Sequence, residues 1–284
     1  MKKLISGIIC LVLLCAVVGC AKNDNIKGKP NNESAIETQT PIQPPEEETE
    51  TPQEELPQVS KPQAPSEPQV PEEVKRDVLL SSTTDGLRVR AGAGTSYSAL
   101  GTLDKNDMTA FTDKVGEWYK VPYYNTYGYV HSSYVKTVSF DIGSDAVEKV
   151  IAEGKKLLGI PYEYGAQRYH WGNGVLNSSY TGKTYDCSSL MQYIFKKGAN
   201  VNLDLTARSQ SLQGTYVPRS EIRRGDLLFF TNASRVNNTG LERIGHVALY
   251  LGDNIILHTA SDHAVIEPIS TQRSAYYITA RRII

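Results

Sequence analysis

From Ala21 to Arg76 the chain offers almost no large apolar side chain. Pro, Glu, Gln, Asn and Thr fill it, as in Pro41-Ile42-Gln43-Pro44-Pro45 followed by Glu46-Glu47-Glu48. Such a stretch cannot bury enough surface to offset the entropy of ordering it, so no fold is expected there. Proline and like charge keep it extended, which makes residues 21–76 a disordered spacer. Everything that folds must lie outside it.

In front of the spacer, Lys2 and Lys3 precede an apolar run from Leu4 to Val18. The run is short for a stable membrane span and reads as the core of a secretion signal. It ends in Val17-Val18-Gly19-Cys20, which resembles the bacterial lipobox, where the cysteine is lipidated and becomes the first mature residue. The expectation is a signal over residues 1–20 and a lipid anchor at Cys20, holding the exported protein to the cell membrane, facing the cell wall. The other cysteines are Cys10, Cys15 and Cys187. Two leave with the signal, so the exported body keeps one thiol, Cys187, and no internal disulfide. The formal net charge of −1 gives no global pull toward nucleic acid.

Behind the spacer, period-two runs alternate with turns: Leu87-Arg88-Val89-Arg90, then Ala91-Gly92-Ala93-Gly94; Met108 to Phe111; Trp118-Tyr119-Lys120-Val121; Tyr127-Gly128-Tyr129-Val130. This implies a small all-β barrel. With Gly94-Thr95-Ser96-Tyr97 and His131-Ser132-Ser133-Tyr134-Val135 added, residues 77–139 resemble the bacterial SH3 domain, a module that binds wall peptide or shapes a neighbouring groove. His131 reads as structural.

Residues 140–284 change character. Ser144 can cap a helix with Val147, Val150, Ile151, Gly154, Leu157 and Leu158 on one face, ended by Gly159 and Pro161. A second helix begins at Cys187, with Asp186 as cap, Lys196 and Lys197 at its carboxyl end and Gly198 as its stop. Strands follow at Asp226–Phe230, Gly245–Leu251, Asn254–His258 and near Tyr276–Ile284. Helices first and an antiparallel meander after make this domain α+β.

The chemistry centres on Cys187. A thiol in the first turn of a helix meets unpaired N–H groups and the positive dipole end, which pull its pKa from about 8.5 into roughly the 3.5–7.5 range. The Asp186 carboxylate opposes this, so a cationic partner is needed. His246 shares a strand face with Ala248 and Tyr250, away from Val247, Leu249 and Leu251. His258 sits on the next strand, within reach from the side. A base held by a third polar group is the logic of a nucleophile triad.

These residues fall into the motif order of the NlpC-type, papain-like cell-wall peptidases, which residues from about Val147 to Ile284 resemble. The motifs are Gly159-Ile160-Pro161-Tyr162-Glu163-Tyr164-Gly165, Asp186-Cys187-Ser188-Ser189-Leu190, Arg208-Ser209 with Gln213, Arg224-Gly225-Asp226-Leu227-Leu228-Phe229-Phe230, Gly245-His246-Val247-Ala248-Leu249-Tyr250-Leu251-Gly252, and Leu257-His258-Thr259-Ala260. The resemblance implies a papain-like fold with Cys187 as nucleophile, His246 as base and His258 as its orienting group. It implies substrate contacts at Tyr162, Asp186 and Ser188, no metal and no cofactor. The implied partner is the peptidoglycan stem peptide, cut between γ-D-glutamate and the diamino acid, by a monomer. Alternatives are cleavage of the cross-link between stems, acyl transfer on the same fold, or a wall-binding lipoprotein without activity. Ser189 departs from the pattern, where glycine is common, as does Ala166. The loop from 166 to 185 is longer than usual, and its His170 is a rival orienting group.

Overall fold

The computed structural model describes residues 75–260 and 262–284. The expected signal, Cys20 and all but the last two residues of the expected spacer lie outside them.

The first part is all strand: β1 (Arg76–Ser82), β2 (Leu87–Arg90), β3 (Ala99–Leu103), β4 (Met108–Thr109), β5 (Asp113–Val115), β6 (Trp118–Tyr123), β7 (Thr126–His131) and β8 (Val135–Asp141). Then come α1 (Asp145–Lys156), α2 (Cys187–Ala199), a single turn α3 (Ala207–Gln210), β9 (Thr215–Val217), β10 (Leu227–Phe230), β11 (His246–Gly252), β12 (Ile255–Thr259), β13 (Ala264–Pro268), α4 (Thr271–Ala275) and β14 (Tyr277–Arg282). The result is the α+β arrangement expected from the order of helices and strands.

Among the described residues the strands form two sheets. One holds five strands in the order β3-β2-β7-β6-β5 around a small core of Leu80, Val89, Val121 and Val130. The other holds nine, in the order β8-β1-β4-β13-β12-β11-β10-β14-β9. The barrel's outer strands thus continue the second sheet, through the pairing of Met108 on β4 with Ile266 on β13. Leu79, Met108 and Phe140 bury their side chains in the main core beside Val150, Leu190 and Leu257. Arg224, almost fully buried, ties β1 to α1 by reaching Asp77 at 2.6 Å and Glu148 at 2.7 Å, and Lys155 also meets Asp77 at 2.6 Å. The barrel packs closely at a second place, where a β-carbon on Gly159 would fall 2.6 Å from the Tyr123 ring. At φ +82° that position also needs glycine for its backbone.

The helices begin as their caps dictate. Ser144 accepts the N–H of Val147 at the start of α1. At α2, Asp186 accepts the Ser189 N–H at 2.7 Å while the Ser189 hydroxyl accepts the Asp186 N–H at 2.9 Å. Ser189, which breaks the expected pattern, is therefore half of a capping box, a feature worth about 1 kcal/mol. Gly198 does not stop α2. It lies inside the helix, where a β-carbon would fall 2.5 Å from the Val150 backbone, so it lets α1 and α2 approach. The stop is Asn200, in the left-handed conformation at φ 54°.

Candidate active site

The amino end of α2 brings Cys187 to the end of the nine-stranded sheet. The helices pack on the sheet face carrying Val247, Leu249 and Leu257. His246 and His258 project from the other face, the one carrying Ala248 and Ile256. Because both Cys187 and His246 stand at the sheet's end, one cleft serves both. Cys187 lines a cavity of about 460 Å³ and His246 an adjoining one of about 470 Å³, and Tyr162, Asn232 and Gly245 wall both. Among the described residues, no hydrogen bond joins the sulfur to the His246 ring in this resting geometry.

The hydrogen bonds of the two histidines fix their protons. His246 Nε2 lies 3.0 Å from His258 Nδ1, and His258 Nε2 lies 2.8 Å from Glu267 Oε1. A carboxylate can only accept, so His258 carries its proton on Nε2 and must accept at Nδ1. His246 is then the donor at Nε2, which leaves the lone pair on Nδ1, the nitrogen a base would use on the thiol. Burial raises the Glu267 carboxyl, but its hydrogen bond to His258 and the nearby charges of His258, Arg273 and His263 together hold it below its ordinary value. His258 has no solvent exposure. Glu267 has no motif to announce it. It meets His258 because β13 pairs with β12 so that Val265 stands opposite His258, and Glu267 is its diagonal neighbour. His170 is buried elsewhere, where its Nδ1 accepts the Gly172 N–H, and it takes no part.

The charge on the thiol runs against the sequence expectation. Burial, and after it the Asp186 carboxylate, push Cys187 up to about 11, against the pull of the Val247 and Ser188 N–H groups and of Arg168. Burial, with His258 and Arg273 adding to it, pushes His246 well below its ordinary 6.5. The helix end is real, but desolvation outweighs it. Both shifts favour the uncharged forms, a thiol and a neutral imidazole.

Asp186 is itself neutralised. Arg168, from the long loop, clamps it with Nη1 and Nη2 both 2.9 Å from its carboxylate oxygens, and the Gly165 N–H adds a contact at 3.2 Å. A nest of Tyr169, Tyr180, Tyr185 and Tyr193 holds that loop, Tyr169 meeting Tyr180 and Tyr193 edge-to-face with centroids 5.0 Å apart and Tyr180 stacking on Tyr193. Ser188 is buried and donates to Asp186 at 3.1 Å. Asp186 and Ser188 thus form part of the cleft wall while spending their hydrogen bonds inside the protein. Tyr162 stands over the cleft. It lines the same cavity as Cys187, and burial first, then Cys187, raise its hydroxyl pKa.

The chain is similar to known proteins in two regions. Residues 159–282 match the model of the NlpC/P60 family, and residues 85–136 match that of the bacterial SH3 domain. Over 140 residues the chain is 34% identical to the peptidoglycan endopeptidase RipA of Mycolicibacterium smegmatis, covering 48% of this chain and 26% of that one. It is also 34% identical over 140 residues to a gamma-DL-glutamyl hydrolase of Bacillus subtilis, covering 48% and 30%. A gamma-D-glutamyl-L-lysine dipeptidyl-peptidase of Bacillus cereus is 28% identical over 145 residues, covering 50% and 38%. The chain therefore spans well under half the length of these three relatives. Within those bounds it carries an NlpC/P60 domain behind a bacterial SH3 domain.

Proposed function

We propose that this protein is a cysteine endopeptidase that cuts the peptide part of peptidoglycan at the bond between γ-D-glutamate and the diamino acid. The observation that carries the reading is the chain His246–His258–Glu267, which leaves a basic nitrogen at the cleft that also holds Cys187, the one free thiol among the described residues. The relatives named for γ-glutamyl hydrolysis support the choice of bond.

In the reaction, His246 Nδ1 takes the Cys187 proton as the sulfur attacks the carbonyl. Proton transfer concerted with attack suits a pair that rests neutral. The unpaired N–H of Cys187 at the start of α2 is aimed to stabilise the oxyanion, and one such donor is worth about 3 kcal/mol. His246 then hands its proton to the leaving amine. Water enters, gives its proton to His246 and attacks the thioester, releasing the acid and restoring the thiol. Tyr162 positions the acyl group beside the sulfur, while Asp186 and Ser188 shape the wall that receives it. The protein acts as a monomer, exported and held to the cell membrane through lipid on Cys20, with the residues that follow spacing it from the bilayer.

One observation favours a wall-binding module without activity: the thiol's elevated pKa. Mass spectrometry of purified muropeptides after incubation with wild type and Cys187→Ala separates the readings. The expected result is new γ-D-glutamyl ends with wild type and a loss of about four orders of magnitude or more in the variant. Equal digestion by both ends the peptidase reading.

A further inference from the structure

On the proposed reading His246 protonates the leaving amine, so the cavity that contains His246 receives the leaving residue, here the diamino acid. We propose that Arg273 forms an anion subsite on this side of the cleft and selects diamino acids that bear a side-chain carboxylate, the diaminopimelate type, over lysine.

Arg273, on α4, lines the cavity together with His246, Asn232, Ser270 and Gln272. Among the described residues lining that cavity it is the one permanently charged side chain, and no carboxylate faces it there. The nearest carboxylate is Glu267, 3.6 Å from the guanidinium, and that group is already engaged at 2.8 Å by His258. The guanidinium makes no hydrogen bond among the described residues, and its Nε is buried without a partner. Burial pulls its pKa below the ordinary value, as expected of a cation short of counter-charge. A guanidinium offers five donors in a planar fork that fits a carboxylate with two parallel bonds. Here that fork is preformed, partly desolvated and open to the cavity. The side chain of lysine ends in an ammonium group alone. That of diaminopimelate ends in a carbon bearing both an ammonium and a carboxylate, and the carboxylate supplies the missing partner. The other polar walls, Asn232, Ser270 and Gln272, suit the ammonium.

The test uses the full chain and three tetrapeptides that share L-Ala-γ-D-Glu and a final D-Ala. They differ in the third residue: meso-diaminopimelate, the same residue with its side-chain carboxyl amidated, and L-lysine. Wild type is expected to show kcat/KM about tenfold or more higher on the free carboxylate than on the other two. Arg273→Gln is expected to erase the difference by lowering only the first value, with Arg273→Lys in between. Equal rates of wild type on all three peptides overturn the subsite. So does an equal loss on all three in Arg273→Gln, since that marks a residue acting through Glu267 instead. Should Arg273→Gln fail to fold, the wild-type comparison of free with amidated carboxylate decides alone. Wild type cutting none of the three takes down the endopeptidase reading itself, a result distinct from cutting all three alike.

Discussion

The two sides of the cleft treat charge in opposite ways. On the Cys187 side, Asp186 is locked by Arg168, Ser188, Ser189 and the Gly165 N–H, so its charge is spent inside the protein. On the His246 side, Arg273 has one ion pair, at 3.6 Å to a Glu267 shared with His258, and its guanidinium makes no hydrogen bond among the described residues. The first side is built to keep a shape: the Asp186 carboxylate still opposes ionisation of the Cys187 sulfur, and Arg168 offsets only part of that. The second holds a charge in reserve. The contrast teaches that a charged residue beside a catalytic group must be judged by whether its partners are already supplied.

Breaking the locked side costs most. Arg168→Met removes one partner of a nearly buried pair and leaves Asp186 unpaired, so stability falls by about 3 kcal/mol in denaturant unfolding. Adding Asp186→Asn removes the orphaned charge and recovers much of that loss. If the single variant is as stable as wild type, the lock is ornamental and the comparison fails.

The open side is probed through Glu267, which links the histidine chain to Arg273. Glu267→Gln keeps the shape and removes the charge. It is expected to lower kcat/KM by about 100-fold with little change in folding, since its partner is the base's orienting group. The pH profile sharpens this. Burial lowers both histidines, so His246 is neutral and competent as a base down through pH 6.5, and the acid limb of kcat/KM lies below that value. The Glu267 carboxylate raises His258, so in Glu267→Gln the histidine pair becomes harder to protonate and the limb is not expected to move up in pH. A shift toward alkaline pH would contradict the assignment.

The residues that gather at the cleft were legible because each carries a local signal. Cys187 stands behind a capping aspartate, and His246 and His258 interrupt aliphatic strands. The α+β order followed from periodicity alone. What the sequence hid depends on register and on irregular chain. Glu267 reaches His258 only through the pairing of β12 with β13, a strand too short and mixed to show a period. Arg168 finds Asp186 from a loop with no periodicity at all. Gly198 resembles a helix stop but serves contact between helices, which only the packing reveals. The thiol's pKa was misjudged because a helix terminus is visible in sequence and burial is not.

The central claim is that Glu267 and His258 hold His246 as the neutral tautomer with its proton on Nε2. Nitrogen NMR of selectively labelled histidine in the full chain at pH 7, with His246→Gln to assign the signal, reads this directly. The account requires a protonated Nε2 and a bare Nδ1 at His246. A proton on Nδ1, or a doubly protonated ring at that pH, would contradict it.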